Sequence, residues 1–422
     1  MNEAPPHDLR PDGPDISLSP RPLRSGQKSR DHSTLPQIYA AIDLGTNNCR
    51  MMIASFDNGH FTIIDTFSKI VRLGEDLSRT GQLSMRAQDR AIQALKSCAD
   101  RLARKKGVKL KAVATQACRI AKNGKAFIAR IKRETGIEMR IITPQEEAQL
   151  SVISCASLVD EPAKAAIIMD VGGGSTEISW LDLSQVKIPE KKPDSKNVLR
   201  HGERSHNSQI LRPPKLSLRP TYWISIPKGV VNLAERFPEP DHNLAPDAYK
   251  SAQLDWFAAM VEDVRSNLIG FSAPEALRSA FLSDKAYIIG TSGAITSLAG
   301  LHLGLERYDR NRVDGLWMSK SDCERVIEHL LEIGALGRRL EPCIGKDRAD
   351  LVLAGAAILV ALQSLWPTER LRVADRGLRE GLLMSMIKKK KNRRRKRRTP
   401  NLVNPITSAH DATAQDLQIR AL

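Results

Sequence analysis

The stretch from Ala165 to Trp180 constrains the fold more than any other part of the sequence. It begins with an apolar run too short for a helix, passes through Asp170 into three glycines, and ends in alternating apolar and polar residues. This pattern predicts two strands joined by a tight turn. Successive glycines permit positive φ angles and let backbone N–H groups approach an anion, so we expect a phosphate-binding turn. A plain hairpin loop is the alternative.

The same plan occurs earlier in the chain, around Asp43. The apolar strand Ile38–Leu44 also contains an aspartate near its end and is followed by glycine and a second strand, and 127 positions separate Asp43 from Asp170. This repeat predicts an α/β protein with two similar lobes whose turns face one cleft. A phosphate chain there would be held by N–H groups from both sides, with a cation bridged by the two aspartates. A third turn, 290–293, follows another buried strand.

The helix start at residues 143–147 supplies a candidate catalytic acid. Thr143 fits the N-cap, Pro144 the first helical position and Glu146 the acidic end of a capping box. Glu147 then points about 100° further around the helix, so capping does not need it. Near a helix N-terminus we expect a low pKa, which would keep Glu147 an anion able to accept a proton. The alternative is a solvated first-turn acid.

Together these motifs resemble the exopolyphosphatase / guanosine pentaphosphate phosphohydrolase (Ppx/GppA) family, in the short form without the helical C-terminal domain of longer members. The resemblance implies the fold group of actin, sugar kinases and heat-shock chaperones, with two duplicated ribonuclease H-like lobes and a cleft between them. It also implies release of terminal phosphate from inorganic polyphosphate or conversion of guanosine pentaphosphate (pppGpp) to ppGpp, a reaction of the stringent response. The segments that carry it are, in order, Asp43–Asn47, Glu146–Ala148, Asp170–Glu177, Gly290–Gly293 and Asp375–Gly381.

The resemblance also implies a role for each matching residue. Glu147 corresponds to the glutamate that activates the attacking water, and Arg119 to an arginine that faces the substrate. Carboxylates around Mg²⁺ (or Mn²⁺) would be Asp43, Asp170 and Glu177. The residues that would bind phosphate are Gly45, Thr46, Asn47, Gly172, Gly173, Gly174, Ser175, Thr291, Ser292 and Gly293. Such a set suits phosphoanhydride hydrolysis, which depends on positioning and charge neutralisation.

The remaining sequence predicts appendages around this core. The predicted divisions are a disordered leader (1–35), a first lobe (36–164), a second lobe (165–387) whose last helix can pack back on the first, a basic surface insertion (184–220) and a disordered basic tail (388–422). The net charge of +17 comes mainly from the insertion and from residues 388–398, where ten of eleven side chains are basic. Such a tail either stays a solvated end or attracts polyphosphate or RNA weakly.

Other features of the sequence indicate the cellular location of the protein and the alternative functions that stay open. Six dispersed cysteines, no long apolar run and no signal-like segment indicate a reduced, cytoplasmic protein without a membrane span. The apolar helix expected at 347–365 could support a homodimer. Two other functions remain open, an ATP-binding kinase of the same fold group and a non-catalytic polyanion-binding protein. The residues do not decide between polyphosphate and pppGpp.

Overall fold

Two mixed β-sheets form the centre of the structure. This computed structural model describes residues 36–159, 162–186, 210–214, 218–241, 243–271, 274–346, 348–387 and 420–421. The strands are β1 (Gln37–Leu44), β2 (Asn48–Asp57), β3 (His60–Ile70), β4 (Lys109–Ala114), β5 (Arg140–Ile141), β6 (Ala165–Val171), β7 (Thr176–Asp182), β8 (Ile210–Leu211), β9 (Tyr222–Ile226), β10 (Ala286–Thr291), β11 (Trp317–Ser319), β12 (Arg370–Ala374) and β13 (Arg420–Ala421). In spatial order the first sheet is β5-β4-β1-β2-β3-β8 and the second is β11-β12-β10-β6-β7-β9-β13.

The two sheets share one strand plan. In the first, β2 is antiparallel to both β1 and β3, while β1 is parallel to β4 and β4 to β5. In the second, β7 is antiparallel to β6 and β9, while β6 is parallel to β10 and β10 to β12. This is the ribonuclease H-like order, present twice, and it confirms the predicted fold class. The repeat seen in the sequence is therefore a repeat of topology.

Short turns produce the antiparallel part of each sheet. Asn58 and Gly59, which join β2 to β3, have φ angles of 49° and 82°. Two successive positive φ angles fit a type I′ turn, whose backbone twist matches that of the flanking strands and which Asn-Gly sequences favour. The predicted meander of β1, β2 and β3 is thus confirmed.

Helices cover both faces of the sheets. Their bounds are α1 (Leu77–Thr80), α2 (Met85–Ala103), α3 (Gln116–Ile120), α4 (Gly124–Thr135), α5 (Pro144–Cys155), α6 (Val230–Arg236), α7 (Pro246–Leu268), α8 (Glu275–Leu282), α9 (Gly293–His302), α10 (Arg310–Val313), α11 (Lys320–Glu332), α12 (Gly334–Leu340), α13 (Val352–Leu365) and α14 (Leu378–Met386), with a 3₁₀ turn at Ala156–Leu158. Ala40 and Ile42 of β1 lie in the core with α2 and α4, whereas Tyr39 and Ala41 lie in the core on the opposite face. Burial on both faces explains why this strand is almost continuously apolar.

The last helix of the second half packs against the first sheet. α14 follows β12, yet its Leu382 and Leu383 share a core with Tyr39 of β1. Gly381 lets α14 approach α5 closely, because a Cβ at this position would lie 2.3 Å from the carbonyl oxygen of Leu150. The two halves are therefore connected through α14 and α5.

Two predicted appendages contribute strands at sheet edges. Within the insertion predicted as a surface loop, β8 pairs with β3 and Leu211 is buried opposite Phe61, so the expectation is wrong at this segment. Within the tail predicted to be disordered, β13 pairs with β9. Edge strands have unpaired N–H and C=O groups, which is why short segments add there. The leader at 1–35 and the basic run at 388–398 lie outside the described residues.

Two further sequence expectations concern the cysteines and the membrane. All six cysteines are buried free thiols, as expected for core residues of a reduced protein. In the part of the chain that the structure describes, no helix has both the length and the apolarity required to cross a bilayer.

Candidate active site

The hairpin turns of the two sheets meet in a cleft. Its volume is about 1000 Å³ when the part open to solvent is included. The predicted residues that line it are Asp43, Gly45, Thr46, Asn47, Glu147, Asp170, Gly172, Gly173, Gly174, Ser175, Glu177, Thr291, Ser292 and Gly293. Arg119 contacts Glu147 at the edge of this set. The fold thus brings together residues spread over 250 positions of sequence, while their individual roles stay predictions.

The register of each hairpin places one charged residue opposite each aspartate. Asp43 of β1 pairs with Arg50 of β2, and Asp170 of β6 pairs with Glu177 of β7. Residues directly opposite each other on antiparallel strands have side chains on the same face of the sheet. One hairpin therefore presents an acid with a base, and the other presents two acids.

A neighbouring loop turns the carbonyl groups of the first turn away from the cleft. The oxygen of Thr46 accepts from the N–H of Gly74 at 2.9 Å, and that of Asn47 accepts from Val71 at 2.8 Å. The C=O and N–H groups of one trans peptide unit point in opposite directions. The N–H groups of Asn47 and Asn48 are therefore directed to the cleft side.

The start of α6 likewise turns the carbonyl groups of the second turn away from the cleft. The carbonyl oxygens of Gly172 and Gly173 accept from the N–H groups of Val230 at 3.0 Å and Val231 at 2.8 Å. By the same peptide geometry, the N–H groups of Gly173 and Gly174 face the cleft. Both turns can then present backbone donors to a phosphate from opposite sides.

The triple glycine serves close packing and not a special backbone conformation. Positive φ angles do not occur at any of the three glycines, so the expectation that they supply left-handed backbone is wrong. A Cβ on Gly173 would lie 3.1 Å from the backbone nitrogen of Asn47, and one on Gly174 would lie 1.7 Å from Oε1 of Gln116. From the other side, a Cβ on Gly229 would lie 2.5 Å from the carbonyl carbon of Gly173. A side chain at Gly229 would therefore meet backbone, whereas one at Gly173 or Gly174 would have to displace its neighbours.

The start of α5 is capped nearly as predicted. Oγ1 of Thr143 accepts from the N–H of Glu146 at 3.2 Å, and Pro144 occupies the first turn. The carboxylate of Glu146 pairs with Arg140 instead of returning to the cap, so the reciprocal half of the capping box is wrong. Arg140 provides a stronger, charge-assisted partner than the backbone N–H.

Glu147 points inward from this helix start. It is only 6% exposed, and its Oε2 accepts a hydrogen bond from Nη1 of Arg119 at 3.1 Å. Nη1 of Arg119 also donates to the carbonyl oxygen of Ile142 at 2.8 Å, which fixes the guanidinium beside the acid. The alternative of a solvated first-turn acid is therefore wrong.

Burial raises the pKa of four carboxylates in the cleft. Desolvation and then the charge of Glu177 raise the pKa of Glu147 well above its usual range, against the opposing effect of Arg119. Desolvation likewise raises the pKa of Asp43 to about 6 and that of Glu177 to about 7, and it raises that of Asp170. The low pKa expected for Glu147 is wrong, because the desolvation cost exceeds the helix-dipole effect.

Serine hydroxyl groups orient two of these carboxylates. Oε1 of Glu177 accepts from the hydroxyls of Ser175 and Ser225, each at 2.8 Å. Oδ2 of Asp170 accepts from the hydroxyl of Ser151. The Ser175 hydroxyl, predicted to bind phosphate, is thus used to hold Glu177.

The cleft does not contain a complete metal cage. Among the described residues, no three His, Cys, Asp or Glu side chains are arranged to hold a metal ion by themselves. Oδ1 of Asp43 and Oδ1 of Asn47 are nevertheless buried without a hydrogen-bond partner. Mg²⁺ usually binds proteins through one or two carboxylates together with water and substrate phosphates. The predicted carboxylates therefore fit a site that the substrate completes.

The third turn contains a strained serine. Ser292 has a φ of 128°, which side-chain-bearing residues rarely adopt, and its buried Oγ has no partner. Such strain concentrates at functional sites. The hydroxyl of Thr291 donates to the carbonyl oxygen of Arg376 and is thus engaged within the protein. Gly293 begins α9, with Nη1 of Arg348 lying 3.8 Å from where its Cβ would be.

Comparison with known proteins identifies the family to which this chain belongs. The sequence profile described as the Ppx/GppA phosphatase family matches residues 52–193 and 217–390, well over half of the chain. The chain belongs to the Ppx/GppA phosphatase family. Membership supports hydrolysis of phosphoanhydrides as its general chemistry.

Solved structures agree with this assignment. The crystal structure of the Aquifex aeolicus Ppx/GppA family member is 26% identical, with 83% of this chain and 97% of that chain covered and a TM-score of 0.60. A structure of the Aquifex aeolicus PPX-GPPA enzyme is 28% identical, with 83% and 99% covered and a TM-score of 0.60. An exopolyphosphatase from Cytophaga hutchinsonii, 22% identical with 83% and 97% covered, has a TM-score of 0.65 and shows the shared fold.

Sequence reasoning missed four arginines around this Ppx/GppA cleft. Arg50, Arg348 and Arg376 line it, and Arg379 acts with Arg50 to keep the pKa of Asp43 lower than burial alone would. Counting outward from the hairpin turn would have placed Arg50 opposite Asp43. Arg376 and Arg379 lie within the family segment 375–381. Arg348 had no local signal, because long-range packing alone brings it to the cleft.

Arg376 is held rigidly at the cleft wall. Its guanidinium donates to both carboxylate oxygens of Asp314 at 2.8 to 3.1 Å, and Nη1 donates to the hydroxyl of Ser157. Asp314 also accepts from the N–H of Asp375 at 3.0 Å. A two-point arginine–carboxylate pair fixes orientation as well as charge. This Ppx/GppA motif thus presents a positioned cation.

Proposed function

We propose that this protein releases terminal orthophosphate from inorganic polyphosphate, from pppGpp, or from both, with Glu147 activating the attacking water. The observation that carries the proposal is the position of Glu147. A buried carboxylate faces two phosphate-binding turns, is aligned by Arg119, and lies beside Asp170 and Glu177. Terminal phosphate is the part of either substrate that such an enclosed cleft can admit.

The chain supplies donors and cations for the phosphates. Backbone N–H groups of both turns face the cleft, and Arg50, Arg348 and Arg376 line it. Phosphoryl transfer needs little covalent chemistry from the protein, so positioning and charge stabilisation account for most of the catalysis. The fixed donors cost little reorganisation when charge develops on the phosphoryl oxygens.

Glu147 suits the part of general base. A base works best when its pKa lies near the working pH, and burial shifts that of Glu147 in this direction. Only the deprotonated form can accept a proton from water. Activity should therefore fall as the pH drops through this raised pKa, well above the ordinary value of 4.5.

Mg²⁺ or Mn²⁺ is proposed as the cofactor. Asp43, through its unpartnered Oδ1, and Asp170 are the residues that would hold it, with Glu177 beside them. When bound, the ion would neutralise charge on the phosphates and polarise the terminal phosphoryl group. The homodimer, the cytoplasmic location and the polyanion contact of residues 388–398 remain predictions.

The substitution Glu147→Gln tests the proposal. It removes the base without changing side-chain size, so kcat for phosphate release should fall by about 10²–10⁴-fold. Polyphosphate, pppGpp and ATP are compared as substrates, and polyphosphate binding should be largely retained. The matched control is Glu146→Gln, because Glu146 is the adjacent acid on the same helix and pairs with Arg140. Near-normal turnover by Glu147→Gln would contradict the assignment, and preferential use of ATP would favour the kinase alternative.

A further inference from the structure

A second groove adjoins the cleft at its rim. We call it the rim groove; its lining residues are Asn48, Ser68, Lys69, Ile70, Arg72, Arg90, Ile344, Gly345, Lys346 and Arg348. Asn48 and Arg348 also line the catalytic cleft, so the two spaces adjoin. Its walls come from the region of β2, β3 and α2 on one side and from the loop before α13 on the other.

The rim groove is strongly basic. Five of its ten lining residues are lysine or arginine and none is acidic. Arg90 is already engaged, since it donates to the carbonyl oxygen of Val71 at 2.8 Å and pairs with Glu75. Lys69, Arg72 and Lys346 are exposed, and none has a salt bridge within the described part of the chain. Three cations are thus available to an anionic ligand.

Backbone contacts join the rim groove to the phosphate turns. The N–H of Arg72 donates to the carbonyl oxygen of Asn47 at 3.0 Å, and Arg72 has a φ of 45°, which is unfavourable for a residue with a side chain. On the opposite wall, the guanidinium of Arg348 lies against Gly293 of the third turn. A chain of anions that leaves the cleft past Asn48 and Arg348 therefore enters a groove that also presents Lys69, Arg72 and Lys346.

We propose that the rim groove binds the distal phosphates of a polyphosphate chain whose terminal phosphate occupies the cleft, so that the protein selects long inorganic polyphosphate over pppGpp. This inference rests on the proposed function and names its substrate class. Every internal phosphate of polyphosphate is anionic, whereas in pppGpp a ribose and a base interrupt the charges between the 5′-triphosphate and the 3′-diphosphate. Only the former presents an unbroken row of anionic groups to Lys69, Arg72 and Lys346.

The test removes the three available cations together, as Lys69→Gln, Arg72→Gln and Lys346→Gln. The KM for long-chain polyphosphate should rise about tenfold or more, with kcat little changed, while KM for tripolyphosphate and pppGpp stays within about twofold. The plot of log KM against log salt should flatten by about 2, which is three lost contacts at about 0.7 each. A thermal melt checks that the variant is folded.

The matched control removes three cations elsewhere, as Arg104→Gln, Lys105→Gln and Lys106→Gln just beyond α2. Arg90 and Ala103 are separated by about 20 Å along this helix, so the control lies well away from the groove. The proposal is overturned if the groove variant keeps its KM for long chains, if the control has the same effect, or if tripolyphosphate is affected equally. It is also overturned if single-stranded RNA competes as well as polyphosphate does.

Direct binding separates this proposal from the proposed function. Labelled long-chain polyphosphate is titrated into the Glu147→Gln protein with and without the three groove substitutions. If the unaltered protein releases no phosphate from any substrate, the proposed function fails, yet weaker binding by the groove variant still supports the rim groove. Equal binding by both proteins overturns the rim groove even if the unaltered enzyme is active.

Discussion

In the hairpin of the first sheet the residue opposite the buried aspartate is Arg50, whereas in the hairpin of the second sheet it is Glu177. The turns themselves are closed by equivalent hydrogen bonds, from Gly45 N–H to Asn48 O at 2.8 Å and from Gly172 N–H to Ser175 O at 2.9 Å. The backbone is thus repeated while the charge is reversed at one position.

This difference separates the tasks of the two halves. Arg50 lowers the pKa of Asp43 and of Asp170, and so provides positive charge in a cleft rich in acids. Glu177 instead raises the pKa of Glu147. A duplicated scaffold can therefore hold phosphate symmetrically while placing the proton-accepting chemistry on one side only.

The two turns also differ in how much space surrounds them. A Cβ on Gly45 would touch only Asn48 O, at 3.5 Å, an ordinary contact. In the second turn a Cβ on Gly173 or Gly174 would press on the first turn or on Gln116. The second turn is the more crowded one, since a Cβ on Gly172, the counterpart of Gly45, would lie 2.7 Å from the carbonyl oxygen of Ser175.

Among substitutions within the two hairpins, neutralising the charges opposite the aspartates should have the largest effect. Glu177→Gln should lower kcat/KM by about 10²-fold or more, because a charged group of the cleft is lost while its serine contacts can persist. The loss of its charge lowers the pKa of Glu147, so the acid limb of the pH–rate profile should move to lower pH.

Arg50→Gln is the counterpart in the other hairpin. Its removal raises the pKa of Asp43 and Asp170, so any acid limb that depends on them should move to higher pH, with a smaller loss of rate. Shifts of the same sign in both variants would refute the division of charge between the hairpins.

Adding a methyl group beside the crowded second turn should give the next largest effect on activity. Gly229→Ala places a methyl group 2.5 Å from backbone atoms of Gly173 and Gly174, so the free energy of unfolding should fall by about 1–3 kcal/mol and activity by roughly tenfold. Gly45→Ala is the matched control and should be neutral or stabilise by up to about 1 kcal/mol. Chemical denaturation and steady-state assays measure both, and equal losses would show that the turns are equally crowded.

The smallest expected effect concerns the stability cost of Asp43. Its folded-state pKa of about 6 exceeds the ordinary 3.8, so the folded protein loses stability as the pH rises from about 4 to about 6. Asn has no such cost, so Asp43→Asn should be more stable at pH 7–8 by on the order of 1–3 kcal/mol. Below about pH 4 the difference should vanish. Denaturant melts in metal-free buffer test this, and a gain that persists at low pH would mean that Asp43 is not destabilising through its charge.

The sequence predicted the hairpins, the repeat and the acids because these depend on neighbouring residues. Apolar runs ended by Asp and Gly are local patterns, and so is the cap formed by Thr143 and Pro144. The sequence did not predict that Glu146 pairs with Arg140, because a capping box at the start of the helix was a plausible local role for Glu146. It also missed β8, whose two residues have too little pattern to predict a strand.

The sequence by itself determined two strand–turn–strand units with aspartates, and a helix with a glutamate free to point away from its cap. Only the tertiary structure decided that Glu147 is buried, because its desolvation is the sum of contacts from distant elements. It also decided that the triple glycine serves close packing, and that Arg348 and Lys346 extend the cleft beside Lys69 and Arg72. Hydrogen-bonded turns are short-range, whereas burial and electrostatic potential depend on residues hundreds of positions apart.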